Sequence, residues 1–253
     1  MHRIARFGIA GLLTVLSAAG ANPPAVAPAP ASPLDQPLRL ATAANQGFQG
    51  IRDYSCLFIK KERLHGKLQP DNLIEMKVRN QPFSVYLHWL APKNFEGQQA
   101  CYVAGRNQNM MRVHSTGILG IAGFVTLDTR DPRVMENSRH TITEAGIGHL
   151  ITRLLQSWEM ERRLGKTQVR LADYTYNRIP CTRVETIHPD NSSRQFTSYR
   201  TVVYFDKTSH LPIRIEKYDW PRAGGPVEGE LLESYSYINL RTNVGLGDNA
   251  FNY

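Results

Sequence analysis

Ile74-Glu75-Met76-Lys77-Val78-Arg79 and Val85-Tyr86-Leu87-His88-Trp89 decide the fold. In each, apolar side chains occupy every second position, and Glu75, Lys77, Arg79, Tyr86 and His88 fill the places between. A period of two sends the two sets to opposite sides of a pleated strand, so both stretches read as half-buried antiparallel strands. Residues 101–104 and 110–114 continue the series beyond the break at Gly105-Arg106-Asn107. Further strands are expected at 168–174, 182–188, 197–206, 213–219 and 232–240. Asp206-Lys207-Thr208-Ser209-His210 reads as a hairpin turn, and Pro212 then opens the next strand where a missing N–H does least damage.

Two segments have the helical period instead. Leu38, Ala41, Ala44, Phe48 and Ile51 predict a short helix over residues 35 to about 50, with Asp35 as its cap and Pro37 tolerated in the first turn. Thr141-Ile142-Thr143-Glu144 has capping-box spacing, and Ile147, Leu150, Ile151, Leu154, Leu155 and Trp158 then form one stripe. Burying those six is worth roughly 1.5 to 3 kcal/mol each, which outweighs the cost of about 1 kcal/mol for each of Gly146 and Gly148. The helix must therefore lie on the sheet. Helix, strands, helix, strands, with no βαβ alternation, predicts an α+β fold: a strongly curved antiparallel half-barrel with both helices on its concave face. Between them, residues 115–140 read as an apolar loop punctuated by Gly117, Gly120 and Gly123, a lid built on Ile118, Leu119 and Phe124 or a loop pinned to the core.

The chain has 253 residues with a formal charge of +8, 42% apolar and 21% charged residues, a composition that excludes disorder. Its longest apolar run, residues 7–19, is too short to cross a bilayer. Arg3 and Arg6 before that run and Ala19-Gly20-Ala21 after it predict a signal peptide cleaved after Ala21. No Cys precedes Cys56, so lipidation near the cut is not expected, and the product is expected in the periplasm or secreted. Residues 22–33, rich in Pro and Ala, read as an extended linker, leaving 34–253 as a single domain. Three cysteines permit at most one internal disulfide. Cys56–Cys101, Cys56–Cys181 and Cys101–Cys181 are all open, with Cys56–Cys181 favoured and three buried thiols the alternative.

Catalytic motifs are missing. Gly165-Lys166-Thr167 resembles the end of a phosphate-binding loop, but Met160 stands where its first glycine belongs. No cofactor or metal is expected. His140 and His149 with Asp128 and Asp131 are the one cluster from which a hydrolase could be assembled, and its spacing matches no ligand template. The basic residues form no long block, which argues against nucleic acid and leaves the positive field to an anionic lipid headgroup or membrane surface, or to solubility alone.

Val202-Val203-Tyr204-Phe205-Asp206-Lys207, Leu211-Pro212-Ile213-Arg214-Ile215-Glu216, Tyr235-Ser236-Tyr237-Ile238-Asn239-Leu240 and a closing Phe251 resemble the terminal strands of the periplasmic lipoprotein-carrier (LolA/LolB, RseB-like) superfamily. Tyr54-Ser55-Cys56 through Lys61-Glu62-Arg63, Gln81-Pro82-Phe83-Ser84-Val85-Tyr86 and Ser138-Arg139-His140 are similar to an exported bacterial family of unknown function, over about residues 45–253. The carrier resemblance implies a half-barrel whose concave apolar face holds acyl chains, or a sensor on the same fold. The expected role is a non-enzymatic carrier or sensor of a hydrophobic ligand, a lipid or an acylated protein. Phe58, Met76, Phe83, Val85, Leu87, Trp89, Tyr102, Phe124, Ile147, Ile151 and Leu154 are the candidate ligand-binding residues. A protein-interaction module with a filled interior and the hydrolase are the alternatives.

Overall fold

A computed structural model describes residues 32–116, 123–189 and 195–253. The leader expected at 1–21, residues 22–31 of the linker expected at 22–33, and the lid residues Gly117, Ile118, Leu119 and Gly120 lie outside them. Residues Ser32–Tyr253 pack as one unit, in which Leu34 is 2% exposed.

The strands are β1 (Asp53–Leu64), β2 (Lys67–Leu68), β3 (Asn72–Arg79), β4 (Ser84–Ala91), β5 (Gln99–Val103), β6 (Met111–His114), β7 (Phe124–Leu127), β8 (Gln168–Tyr176), β9 (Ile179–Ile187), β10 (Arg200–Asp206), β11 (Pro212–Tyr218) and β12 (Leu231–Thr242). All pairings are antiparallel. They form one open curved sheet in the order β7-β6-β5-β4-β3-β1-β12-β11-β10-β9-β8, with β2 paired to β1. Two meanders thus meet at the central β1–β12 pair. Since β7 and β8 are opposite edges, the segment joining them must cross the sheet.

That crossing segment carries α2 (Pro132–Met135) and α3 (Ile147–Leu164). With α1 (Asp35–Phe48), α3 covers the concave face, and the core lies between. Ala41 and Ala44 of α1 and Ile147, Ile151, Leu154 and Trp158 of α3 share one buried cluster with Tyr54, Cys56 and Phe58 of β1, Ile74, Met76 and Val78 of β3, and Val203 and Phe205 of β10. The alternation read from the sequence sets which side chains of β3 face inward: Ile74, Met76 and Val78 are each 1% exposed.

Local chemistry departs from expectation at the helix starts. The N-cap of α1 is Leu34, with Asp35 the first helical residue. The Asp35 carboxylate accepts from the Ser32 N–H at 2.8 Å, and its charge sits at the positive end of the helix. The capping box at Thr141 does not form: Ile142–Glu144 is a single 3-10 turn with no side-chain cap. Instead α3 starts after Gly146, whose φ of 98° reverses the chain. The Ile147 N–H then donates to the Tyr54 hydroxyl oxygen at 2.8 Å. The sheet, not the preceding loop, caps this helix. Gly148 is also needed for close approach, because a Cβ there would meet the Phe48 ring of α1 at 2.5 Å.

The expected loop over 115–140 contains structure, since β7 pairs Val125 with Val113 and extends the sheet by one edge strand. Asp131 caps α2 by accepting from the Arg133 N–H at 3.0 Å. The favoured Cys56–Cys181 disulfide is also corrected: all three cysteines are free and buried. Cys56 faces the helices. Cys101 packs with Phe251 and Cys181 with Val202 and Ile213, in two separate clusters. Burial pushes the Cys56 thiol up to about 12 and the Cys101 thiol to about 11, so neither is a nucleophile at neutral pH.

Candidate ligand cavity

Between α3 and the sheet lies a cavity of about 850 Å³. Its apolar wall comes from inward positions of successive strands: Phe58 of β1, Ile74 and Met76 of β3, Leu87 and Trp89 of β4, Ala100 of β5, Met111 and Val113 of β6, and Val125 and Leu127 of β7. Leu150, Leu154 and Trp158 of α3 close it from above. The helices cover only part of the concave face, and the space left over is the cavity. A volume of this size falls within the range of small-molecule sites, roughly 300 to 1,000 Å³.

Of the candidate ligand-binding residues, Phe58, Met76, Leu87, Trp89 and Leu154 line this space. Val85, Ile147 and Ile151 do not line it but are buried in the core, each 0% exposed, as is Tyr102 at 8%. Phe83 packs edge-on against His149, with ring centroids 4.9 Å apart. Phe124 is directed elsewhere. Its ring lies 5.6 Å from that of Tyr253 and carries the Arg112 guanidinium at 5.4 Å, because Val125 and Leu127 take the inward phase of β7.

The wall changes character along the strands. The inward positions of β1 run Tyr54, Cys56, Phe58, Lys60, Glu62, and those of β12 run Tyr237, Tyr235, Glu233. The register sets Lys60 against Tyr235 and Glu62 against Glu233, while Lys217 of β11 lies against Glu233. One end of the cavity is therefore charged. Glu62 and Glu233 are each 3% exposed, which is tolerable only with partners. Lys60 Nζ donates to Glu62 Oε2 at 3.1 Å, and the Tyr235 hydroxyl to Glu62 Oε1 at 2.5 Å. Glu233 Oε2 accepts from Arg139 Nε at 3.0 Å and lies 2.9 Å from His140 Nε2. Lys217 Nζ meets Glu233 Oε1 at 2.9 Å. Burial alone would raise the Glu233 carboxyl, but the His140 hydrogen bond and the Lys217 charge outweigh it and hold the group well below the usual carboxylate range. Burial and the neighbouring Glu233 charge push the Tyr235 hydroxyl far up, so it remains a donor.

A second polar stretch holds His188, which lies 3.1 Å from Glu161 Oε2 of α3 and 2.7 Å from the Ser198 carbonyl oxygen. The ring stacks on Phe196 with centroids 4.1 Å apart.

The hydrolase cluster does not assemble. His140 faces the charged end of the cavity and His149 packs edge-on against Phe83. Asp128 accepts from the Arg130 N–H at 2.7 Å, and Asp131 is held by Arg133. Among the described residues no group of three or more His, Cys, Asp or Glu could hold a metal ion.

Fold and cavity together define a class: an open antiparallel half-barrel, plugged in part by helices, with an apolar chamber that is charged at one end. The chain belongs to the DUF1571 family of proteins of unknown function, whose model matches residues 51–253. No curated protein matches the sequence significantly. Among solved structures, a DUF1329 family protein from Desulfovibrio piger is 13% identical, with 88% of this chain and 98% of that chain covered and a TM-score of 0.42. The lipoprotein LppX from Mycobacterium tuberculosis is 12% identical, covering 84% and 98%, with a TM-score of 0.46. A LolA superfamily protein from Nitrosomonas europaea is 11% identical, covering 85% and 96%, with a TM-score of 0.33.

Proposed function

We propose that this protein is a non-enzymatic carrier or sensor that holds a hydrophobic ligand, a lipid or the acyl chain of an acylated protein, in the cavity beneath α3. The observation that carries this reading is the chamber of about 850 Å³ walled by side chains of nine strands and of α3. Interiors are normally packed to crystal density with few voids larger than a water molecule. A chamber this large, lined by Phe58, Met76, Leu87 and Met111, has the apolar chemistry that an acyl chain needs. The filled interior of a pure interaction module is not what the sheet encloses. Export through the expected leader would place the protein in the periplasm or outside the cell, where carriage of a lipid through water needs a shielded chamber.

Trp89 tests the reading. Its indole lines the cavity and is held by the Asn72 side-chain oxygen at 2.9 Å. Trp89→Ala is expected to weaken binding of a fluorescent fatty acid by about tenfold or more, through lost apolar contact. Reduced stability with unchanged probe affinity would contradict the assignment of this chamber.

A further inference from the structure

We infer that the charged end of the cavity is a headgroup site for a single anionic group, so that the cargo is an anionic amphiphile rather than a neutral lipid. The inference rests on the cavity being the cargo site and adds the headgroup chemistry.

A chamber for purely apolar cargo has no use for ionised side chains, since each one taken out of water costs several kcal/mol unless paired. Here Lys60, Lys217 and Arg139 meet the two carboxylates Glu62 and Glu233. The local balance is one positive charge in excess with His140 neutral, and two with it protonated. Glu144 Oε2 lies 3.2 Å from His140 Nδ1 and 3.5 Å from the Arg153 guanidinium, so this pair joins the same cluster and adds no net charge.

Hydrogen-bond capacity points the same way. Glu62 accepts from Lys60, the Tyr235 hydroxyl and the Arg139 N–H. Glu233 meets Arg139, His140 and Lys217. Both carboxylates are already engaged by cations and donors, so an amine headgroup would have to displace these. Lys60 is likewise occupied, donating to Glu62, the Asn137 carbonyl and the Ser138 hydroxyl. Lys217 is different. Its ammonium has three donors, meets one carboxylate oxygen among the described residues, and lines the cavity. A carboxylate or phosphodiester at the end of an acyl chain would accept from the remaining donors of Lys217 and cancel the excess charge. The apolar run Phe58, Met76 and Leu87 would take the chain.

The test is a set of affinities measured with palmitate, lysopalmitoylphosphatidylglycerol, hexadecanol and hexadecylamine, which share one chain length and differ in headgroup. At least one of the two anions is expected to bind about tenfold tighter than hexadecanol, the scale of one hydrogen bond to a charged group. Which anion it is separates a fatty acid source from a phospholipid source. Hexadecylamine should gain nothing over the alcohol. Lys217→Gln should erase the anion preference, so that anion and alcohol bind alike in that variant, while Lys217→Arg should retain the preference. Equal affinities for anion, alcohol and amine in the unaltered protein would overturn the headgroup site and leave the apolar cavity standing. Anion preference that survives in folded Lys217→Gln would overturn it as well. Failure of all four probes to bind would remove the cargo reading itself, and this inference with it.

Discussion

Glu233 shows how a single side chain links the sheet to the chamber. It is buried on the inward side of β12, where Glu62 is its cross-strand neighbour, an arrangement that would be repulsive without Lys217, His140 and Arg139. Glu233→Gln leaves Lys217 and Arg139 short of a counter-charge. Because their side chains keep 24% and 35% exposure, the expected loss at neutral pH is about 3 kcal/mol, the low end for a broken buried pair. The pH dependence follows from the direction of the shift. A carboxyl held below its ordinary value contributes stability that is complete above the unfolded pKa of about 4.3 and disappears as pH falls toward the folded value. Urea unfolding of both proteins should therefore show a gap that is constant from neutral pH to about 5 and narrows below about 4. A gap independent of pH would mean that the Glu233 charge contributes no stability. The sequence held a signal for this group: Lys60, Glu62 and Glu233 occupy the same alternation phase as Phe58 and Tyr237. Charges in the buried phase of a strand are the informative exception. Reading the apolar residues alone reached Phe58, Met76, Leu87, Trp89 and Leu154 of the lining and missed the charged end.

At the scale of elements, the period of two located nine of the twelve strands and the period of 3.6 located α1 and α3, because burial on one face imposes those repeats; β1, β2 and β7 are not located by it. What the period cannot reveal is how an element is anchored to its neighbours. The capping signal at Thr141 was local and lost to a tertiary contact, the Tyr54 hydroxyl reaching the Ile147 N–H from β1. Gly146 and Gly148, which a helix-propensity view treats as costs, are required by that contact and by the Phe48 ring. Tyr54→Phe removes the acceptor and leaves a buried N–H unpaired, so a loss of about 1 to 3 kcal/mol is expected in chemical denaturation. An unchanged unfolding midpoint would show that α3 needs no cap from the sheet. The placement of Phe124 depends on the same limit. Short β7 has too few residues for its inward phase to be read, and only its pairing with β6 shows that Val125 and Leu127, not Phe124, face the chamber.

For the whole molecule, strand content and helix count defined an open sheet with helices on one face, and the topology explains why a chamber must exist. Two meanders joined at β1 and β12 leave their free edges far apart, and one long helix must bridge the concave face between them. A helix is about 10 Å across, so α1 and α3 on a broad curved sheet leave part of that face uncovered. Sequence period cannot report such an omission, since a residue lining a cavity and a residue in a filled core carry the same apolar pattern. The central claim is that this space is occupied by an acyl chain. The most direct measurement is a fluorescent fatty-acid titration of the unaltered protein beside Leu87→Trp, which places an indole in the chamber. The account predicts saturable binding at one site in the former, and loss of most of that binding in a Leu87→Trp protein with an unchanged circular dichroism spectrum. Equal binding by the two proteins, or none that saturates in the unaltered one, would contradict it.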